Sequence, residues 1–271
     1  MYKRQLSFRT LKKKLGLSKI AIAISGAAPI SPEVLKFFMA LGVPIFEAYG
    51  MTENCAYVTS NDFESIEIGS VGRPHENCEV KIADDGEILT RHGGTFKGYF
   101  KDEKSTREVI DEEGWLHTGD VGEITERGSL IITDRKKDII LTSGGKNVSP
   151  SEIENKIKAS PFIKDALVVG DRRKFLSCLV AIEFETVSNW ALRKKIPFTT
   201  YRDLTEKSEV RELVSKEIIR ANEETSSLQV RKFELIPKEL DHEDGELTAT
   251  QKIKRNVIIE QFSELVESMY K

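Results

Sequence analysis

The chain has 271 residues, of which 39% are hydrophobic and 31% charged, enough to bury a sizeable core in one large or two ordinary domains. Its formal net charge is −3 and its isoelectric point is near 6.0, so the composition gives no general reason to expect nucleic acid as a partner. Three widely spaced cysteines without a CxxC pair indicate a reducing compartment and no structural zinc. The longest apolar run, Ile20 to Ile24, is too short to cross a bilayer, which predicts a cytoplasmic protein with at most peripheral membrane contact.

The first predicted elements form a strand, helix and strand. Ile20 to Ile24 is typical of a short buried strand, and it leads into a loop of small residues that contains Gly26. Ser31 and Pro32 then predict the start of a helix, with Ser as N-cap and Pro in the first position. Val43 to Glu47 predicts the next strand. The result is a βαβ-like unit, and ligands tend to bind at the carboxyl ends of such strands.

The middle of the chain has a different pattern, with short strands separated by glycine-containing turns from Ile68 to Ile132. It predicts a small, strongly bent antiparallel sheet or distorted barrel, in which Tyr99 and Phe100 are expected to be core residues. A helix opened by Ser149 and Pro150, further strands and two polar amphipathic helices follow. These later elements predict a small α+β domain, so the fold class is α/β followed by α+β.

Four motifs hold the residues that could carry chemistry. They are Tyr49-Gly50-Met51-Thr52-Glu53, Trp115-Leu116-His117-Thr118-Gly119-Asp120, the run from Thr133 to Asn147, and the run from Leu247 to Arg255. Each has a plain structural reading when it is taken alone: a surface loop, a turn-capping aspartate, a solvated basic turn and a surface lysine. The glycine pair in the third motif lacks the spacing of a Walker phosphate loop, and the four histidines form no metal-ligand spacing.

In this order the four motifs resemble those of the adenylate-forming enzymes, and among them the AMP-forming long-chain acyl-CoA synthetases. Gln251 and the segment from Phe184 to Asn222 favour the long-chain branch. The resemblance implies that residues 1–135 are the C-terminal part of a large AMP-binding domain and that residues 136–271 are a mobile C-terminal domain. It also implies a reaction in which ATP activates a fatty acid to an acyl-adenylate, which coenzyme A then converts to a thioester.

For the first half-reaction the resemblance implies a nucleotide site with magnesium. Glu53 would bind Mg²⁺, Thr52 would contact phosphate, and Tyr49 would lie against the adenine. A hard cation held by one carboxylate and substrate phosphates is typical of magnesium. Asp120 would accept hydrogen bonds from both ribose hydroxyls. Gly26, in the loop after the first strand, is predicted to belong to the same site.

The remaining site residues come from the last two motifs. The resemblance implies that Arg135 contacts the nucleotide and that Lys137 is the hinge on which the small domain turns after adenylation. Gly144 and Gly145 would lie along the pantetheine tunnel during the second half-reaction. Lys252 would bridge the attacking carboxylate and the α-phosphate.

A Ser/Thr/Gly-rich loop that ends in Pro-Lys-Gly and wraps the triphosphate in this family has no counterpart in the sequence. We therefore expect an incomplete fragment, with a separate N-terminal chain as one candidate partner. Two alternatives stay open. One is a synthetase for another carboxylic acid, such as an aryl acid or an amino acid, and the other is a non-catalytic fragment that binds nucleotide or a partner chain.

Overall fold

The computed structural model describes residues 2–225, 228–248 and 252–271, with side chains from residue 8 onward. The chain forms two compact units, Met1–Lys137 and Asp138–Lys271. The division follows Lys137, whereas the sequence places the domain boundary after Arg135. Each unit has its own sheets and its own apolar core.

The first unit begins with helix α1 (Tyr2–Lys14), which is followed by a four-stranded sheet in the order β1-β2-β3-β4. Its strands are β1 (Ala23–Ser25), β2 (Ile45–Tyr49), β3 (Thr59–Ser60) and β4 (Arg73–Pro74). Helix α2 (Pro32–Ala40) begins at a proline, as predicted, and connects β1 to β2. Because β1 and β2 are parallel, the predicted βαβ unit is confirmed.

The first strand differs from the prediction in position and burial. β1 covers only Ala23–Ser25, and the Ile22 and Ile24 side chains are 58% and 69% exposed instead of buried. The reason is sheet order: β1 is the edge strand, and among the described strands it pairs only with β2. An apolar run identifies a strand but cannot tell whether both of its faces are covered.

A second sheet in the first unit is an antiparallel meander in the order β5-β6-β7-β8. Its strands are β5 (Glu79–Ile82), β6 (Glu87–Arg91), β7 (Leu116–Ile124) and β8 (Leu130–Arg135), with helix α3 (Glu103–Val109) between β6 and β7. The register shifts on both sides of β7, once against β6 and once against β8. Such irregularities bend a sheet, and the predicted bent sheet is confirmed as a half-barrel.

The prediction that Tyr99 and Phe100 are core residues is wrong. Phe100 is 90% exposed, and Tyr99 is also exposed, with its hydroxyl near the surface. Both residues lie in the connection between β6 and α3, where no regular strand buries alternate side chains. Aromatic character alone misled the sequence-based assignment.

The second unit is built on a three-stranded sheet in the order β11-β12-β13 and a small hairpin, β9 with β10. The strands are β9 (Ile140–Leu141), β10 (Asn147–Val148), β11 (Ile163–Val169), β12 (Leu176–Ile182) and β13 (Val230–Leu235). The helices are α4 (Pro150–Lys158), α5 (Phe184–Arg193), α6 (Tyr201–Thr205), α7 (Ser208–Glu223), α8 (Arg255–Gln261) and α9 (Ser263–Ser268). None of the described helices in either unit has the length and apolar character needed to span a membrane.

Both faces of this sheet are covered, which explains the apolar runs at residues 166–169 in β11 and 178–182 in β12. Alternate residues enter two different cores: Val168 and Val180 join the core that includes α4, α5 and α7, while Leu167 and Leu179 join the core with α8 and α9. Strands that are buried on two faces need apolar side chains at every position. The predicted α+β character of this part of the chain is confirmed.

Candidate functional site

A buried carboxylate lies at the centre of the first unit's polar cluster. Asp120 is in β7 and is paired in register with Arg135 at the end of β8, so their side chains meet on one face of the sheet. The Arg135 Nε atom forms an ion pair with Asp120 Oδ1 at 2.9 Å, and the Tyr49 hydroxyl donates to Asp120 Oδ2 at 2.7 Å. Because Asp120 is only 6% exposed, this ion pair and this hydrogen bond orient its carboxylate.

The Tyr49 hydroxyl is a permanent donor in this cluster. Burial, followed by the nearby negative charge of Asp120, raises the pKa of Tyr49 far above its ordinary value. Its ring packs in the apolar core with Val58, Ile88 and Leu130. The structure thus gives Tyr49 a role in holding Asp120, and the contact with adenine stays a prediction.

Arg135 combines a fixed end with an open end. Its Nε atom is used by Asp120, but the side chain is about half exposed and its two terminal nitrogens have no partner among the described residues. A guanidinium held at one edge in this way keeps its outer fork available for an anion. The geometry is suited to a phosphate or ribose oxygen beside Asp120.

The turn after β2 is shaped by backbone contact. A Cβ atom on Gly50 would lie 2.3 Å from the carbonyl carbon of Ala56, so only glycine fits there. The buried Asn54 accepts a hydrogen bond from the Met51 amide at 2.7 Å and closes the turn. Thr52, which begins a short 3-10 helix over Thr52–Asn54, is exposed.

Glu53 lies in the same 3-10 helix with its carboxylate at the surface. Its Oε1 atom accepts a hydrogen bond from the Tyr99 hydroxyl at 2.9 Å, and its Oε2 atom has no partner among the described residues. The part of the chain that the structure describes contains no group of three metal-ligating side chains. A single oriented carboxylate with a free oxygen fits Mg²⁺ that takes its other ligands from phosphate and water.

Gly26 follows β1 and approaches the neighbouring strand closely. A Cβ atom there would be 3.3 Å from the Ala48 carbonyl oxygen, which leaves little room for a side chain. The next residue, Ala27, has a left-handed backbone with φ of 67°. Gly26 is exposed and lies beside β2, the strand that ends at Tyr49.

A second buried carboxylate, which the sequence analysis missed, supports the Asp120 strand from the other side. Glu87 accepts hydrogen bonds from the Gly119 amide at 2.9 Å and from Lys136 Nζ at 2.9 Å, and it contacts His117 at 3.2 Å. Burial favours the neutral acid, but the donors led by Lys136 outweigh it and hold the pKa of Glu87 below its usual range. Since Glu87 and Lys136 are far apart in sequence, no local pattern could have revealed this pair.

The segment at the unit boundary is held on its N-terminal side by these contacts. Arg135 is bound to Asp120, and Lys136 is bound to both Asp85 and Glu87. Lys137 follows within a 3-10 helix over Lys136–Asp138, is exposed, and has no side-chain partner among the described residues. The fixed part of the first unit therefore ends one residue before Lys137.

In the second unit, Gly144 and Gly145 form the turn of the β9–β10 hairpin. The Gly145 amide donates to the Thr142 carbonyl at 2.9 Å, and Gly145 has a left-handed φ of 76°. No described atom lies near the Cβ position of Gly145. The turn is exposed, so its backbone is open to a ligand on the outer side.

Lys252 lies in the second unit at the neck of a loop whose residues 249–251 are outside the described part of the chain. Its amide donates to Thr248 Oγ1 at 3.0 Å, and its carbonyl accepts from the Thr248 amide at 2.8 Å. The side chain is exposed. The predicted site residues therefore fall into two sets, one in each unit.

Comparison with known proteins agrees with this arrangement. Residues 2–100 match the AMP-binding enzyme family, and residues 137–271 match the AMP-binding enzyme C-terminal domain. The long-chain-fatty-acid–CoA ligase FadD15 of Mycobacterium tuberculosis is 37% identical over 98% of this chain, and the peroxisomal long chain acyl-CoA synthetase 7 of Arabidopsis thaliana is 35% identical over 98%. This chain spans 44% and 41% of those two proteins.

The solved structures show the same fold. The A-PCP didomain of a carboxylic acid reductase from Segniliparus rugosus, in complex with AMP, has a TM-score of 0.75 and 24% identity, and the match covers 98% of this chain and 37% of that one. An o-succinylbenzoate CoA synthetase from Bacillus subtilis, in complex with ATP and magnesium, has a TM-score of 0.65 at 24% identity, over 92% and 49% of the two chains. With both halves matched in order, this chain belongs to the AMP-binding, adenylate-forming enzyme superfamily.

Proposed function

We propose that this chain forms part of an AMP-forming long-chain fatty acid–CoA ligase. In the first step a fatty-acid carboxylate oxygen attacks the α-phosphorus of ATP, which gives acyl-adenylate and pyrophosphate. In the second step the thiol of coenzyme A attacks the acyl carbon, and thioester, AMP and a proton are released. The observation that carries the proposal is 35–37% identity to long-chain ligases over almost the whole chain.

The Tyr49, Asp120 and Arg135 cluster supports a nucleotide-binding role for the first unit. The oriented Asp120 carboxylate can accept hydrogen bonds from ribose hydroxyls, while the open guanidinium fork of Arg135 donates to the α-phosphate. Gly26 would line the site where a backbone without a side chain allows close approach of the base. Tyr49 would orient Asp120 through the hydrogen bond from its hydroxyl.

Glu53 and Thr52 are proposed to serve the phosphates. Glu53 would hold Mg²⁺, which neutralises charge on the phosphates when it is bound, and Tyr99 would orient the carboxylate through its hydroxyl. The exposed Thr52 hydroxyl would donate to a phosphate oxygen. Two anions, the fatty acid and ATP, must be brought together, so such charge compensation is needed before they can react.

We assign the hinge to Lys137 because its neighbours are fixed and it is not. Arg135 and Lys136 are tied to buried carboxylates of the first unit, whereas Ile140 is already buried in the core of the second. A change in φ and ψ at Lys137 would break none of these contacts. Hinges are typically a few residues of this kind at the ends of elements.

The second unit would supply one group for each of the two half-reactions. Lys252 would bridge the attacking carboxylate and the α-phosphate during adenylation, where a positive charge stabilises the developing negative charge. The exposed turn of Gly144 and Gly145 would take the pantetheine arm of coenzyme A in the second step, since glycine leaves its backbone open. Rotation of the second unit about Lys137 would replace Lys252 at the site with the turn of Gly144 and Gly145.

The test is adenylation of a panel of acids. Because this chain covers less than half of its relatives, the assay uses a complemented enzyme, which we define as this chain joined to the N-terminal region of FadD15 that it does not match. Pyrophosphate exchange that is strongest with long-chain fatty acids supports the proposal. Exchange that prefers aryl or amino acids would overturn the substrate assignment, and binding of AMP without exchange for any acid would favour a non-catalytic role.

A further inference from the structure

The loop that bears Lys252 is closed at its neck by main-chain contacts and by one hydrogen bond to the Thr248 hydroxyl. Thr248 and Lys252 exchange two hydrogen bonds, and Leu247 and Ile253 form an isolated antiparallel bridge. The Lys254 amide then donates to the Glu246 carbonyl at 2.8 Å. The neck is thus a short hairpin, whose position depends on what anchors its two ends.

The N-terminal end of the neck is anchored by a fully buried carboxylate. Glu246 has no exposed surface, and its two oxygens accept from Lys238 Nζ at 2.9 Å and from the Asp241 amide at 2.8 Å. Leu247, the next residue, is buried in the core with α8 and α9. This end of the neck is therefore fixed to the body of the second unit.

The C-terminal end is anchored by Arg255, three residues after Lys252 and the first residue of α8. Its two terminal nitrogens donate to the Val168 carbonyl at 2.8 Å and to Glu154 Oε1 at 2.6 Å. The Val168 amide donates to the same Glu154 oxygen at 2.7 Å. Arg255 and Glu154 are both largely buried, so helix α4, strand β11 and the start of α8 are joined at one point.

We propose that Arg255, held by Glu154, is a positioning residue that sets the location and direction of Lys252. A buried ion pair is an inefficient way to gain stability alone, because desolvation offsets much of the attraction. It does supply direction, since the guanidinium must meet a carbonyl and a carboxylate at once. The proposal rests on the role in adenylation that we propose for Lys252.

The first test uses the 271-residue chain itself and needs no activity. Amide hydrogen exchange is measured at Lys252 and Lys254 in Arg255→Met and in the double variant Glu154→Gln/Arg255→Met, which removes the pair without leaving a buried charge. We expect exchange at these amides to rise by about tenfold or more, the effect of losing one charge-assisted hydrogen bond. Arg255→Lys keeps the charge but not the fork, so it should give an intermediate increase.

Arg211 offers a matched control. It binds both oxygens of Glu234 and the Phe233 carbonyl, which is the same combination of carboxylate and carbonyl on another part of the second unit. Arg211→Met should leave exchange at Lys252 and Lys254 unchanged. Equal loosening by Arg211→Met, or no loosening in the Arg255 variants, would overturn the proposal.

The second test uses the complemented enzyme and separates positioning from general damage. The Glu154→Gln/Arg255→Met variant should lower the adenylation kcat by about tenfold, with little change in thiolysis of preformed acyl-adenylate. In a Lys252→Ala background it should cause no further loss, because it acts through Lys252. An equal loss of rate in adenylation and thiolysis would refute positioning. So would a tenfold loss of adenylation when the Glu154→Gln/Arg255→Met pair is added to Lys252→Ala. If Lys252→Ala alone leaves adenylation intact, the proposed function fails, and hydrogen exchange still decides whether Arg255 orders the loop.

Discussion

Glu87→Gln should destabilise the first unit and should do so in a pH-dependent way. Glutamine keeps one oxygen for the Gly119 amide, but it places an NH₂ group 2.9 Å from the Lys136 ammonium, which cannot accept a hydrogen bond. A charge-assisted hydrogen bond is worth about 1.5–3 kcal/mol, and partial exposure of Lys136 reduces this, so we expect a loss of about 1–2 kcal/mol at pH 7.

The sign of the pH dependence follows from the lowered pKa of Glu87. A carboxyl whose pKa is lower in the folded state stabilises the protein above its unfolded pKa, about 4.3 for glutamate. That contribution is lost as the pH falls through the folded pKa. The difference in unfolding free energy between the wild type and Glu87→Gln should therefore be full at pH 7 and should shrink below about pH 4.

Tryptophan fluorescence during urea unfolding can report on the first unit alone. The chain has two tryptophans, and Trp190→Phe leaves Trp115, which is buried in the first unit with the Lys81 and Arg91 cations over its ring. Glu126→Gln is the control, because Glu126 is exposed and has no side-chain partner among the described residues. A Glu87→Gln loss no larger than that of the control, or a deficit that is unchanged at pH 3, would refute the assignment.

Three further predictions concern the turn, the nucleotide site and the hinge. Gly50→Ala should cost the first unit about 1–3 kcal/mol in urea unfolding because its Cβ would clash with Ala56, whereas Gly93→Ala, with no atom within 4 Å, should be neutral; equal effects would contradict this. Arg135→Lys should weaken binding of AMP to the chain by about tenfold in calorimetry, since a lysine cannot hold Asp120 and an anion together; unchanged affinity would argue against the site. Lys137→Pro should preserve adenylation by the complemented enzyme and abolish thioester formation, because a fixed φ holds one domain orientation; intact rates in both steps would exclude a pivot there.

Local patterns in the sequence were sufficient for most of the fold. Pro32 and Pro150 mark the starts of two helices, and the apolar runs within β11 and β12 identify strands that are buried on both faces. The exposure of Ile22 and Ile24 could not be predicted, since it depends on β1 lying at a sheet edge.

The candidate site was also only partly predictable from the sequence. Asp120 and Arg135 were identified from motifs, but their direct pairing depends on the register of β7 and β8, which composition does not encode. Glu87 was missed because its partners, Gly119 and Lys136, reach it only through the folded sheet. The motifs identified the candidate ligand-binding residues, while the residues that support them could be identified only from the structure.

The most direct test of the account measures fatty-acid-dependent ATP–pyrophosphate exchange with and without Lys252. We expect no exchange from the 271-residue chain alone, long-chain-acid-dependent exchange from the complemented enzyme, and a loss of about 10²-fold in Lys252→Ala, the scale of losing one electrostatic partner of the transition state. Thiolysis of preformed acyl-adenylate should persist in that variant. Robust exchange that does not depend on Lys252, or equal loss of both half-reactions in Lys252→Ala, would contradict the account.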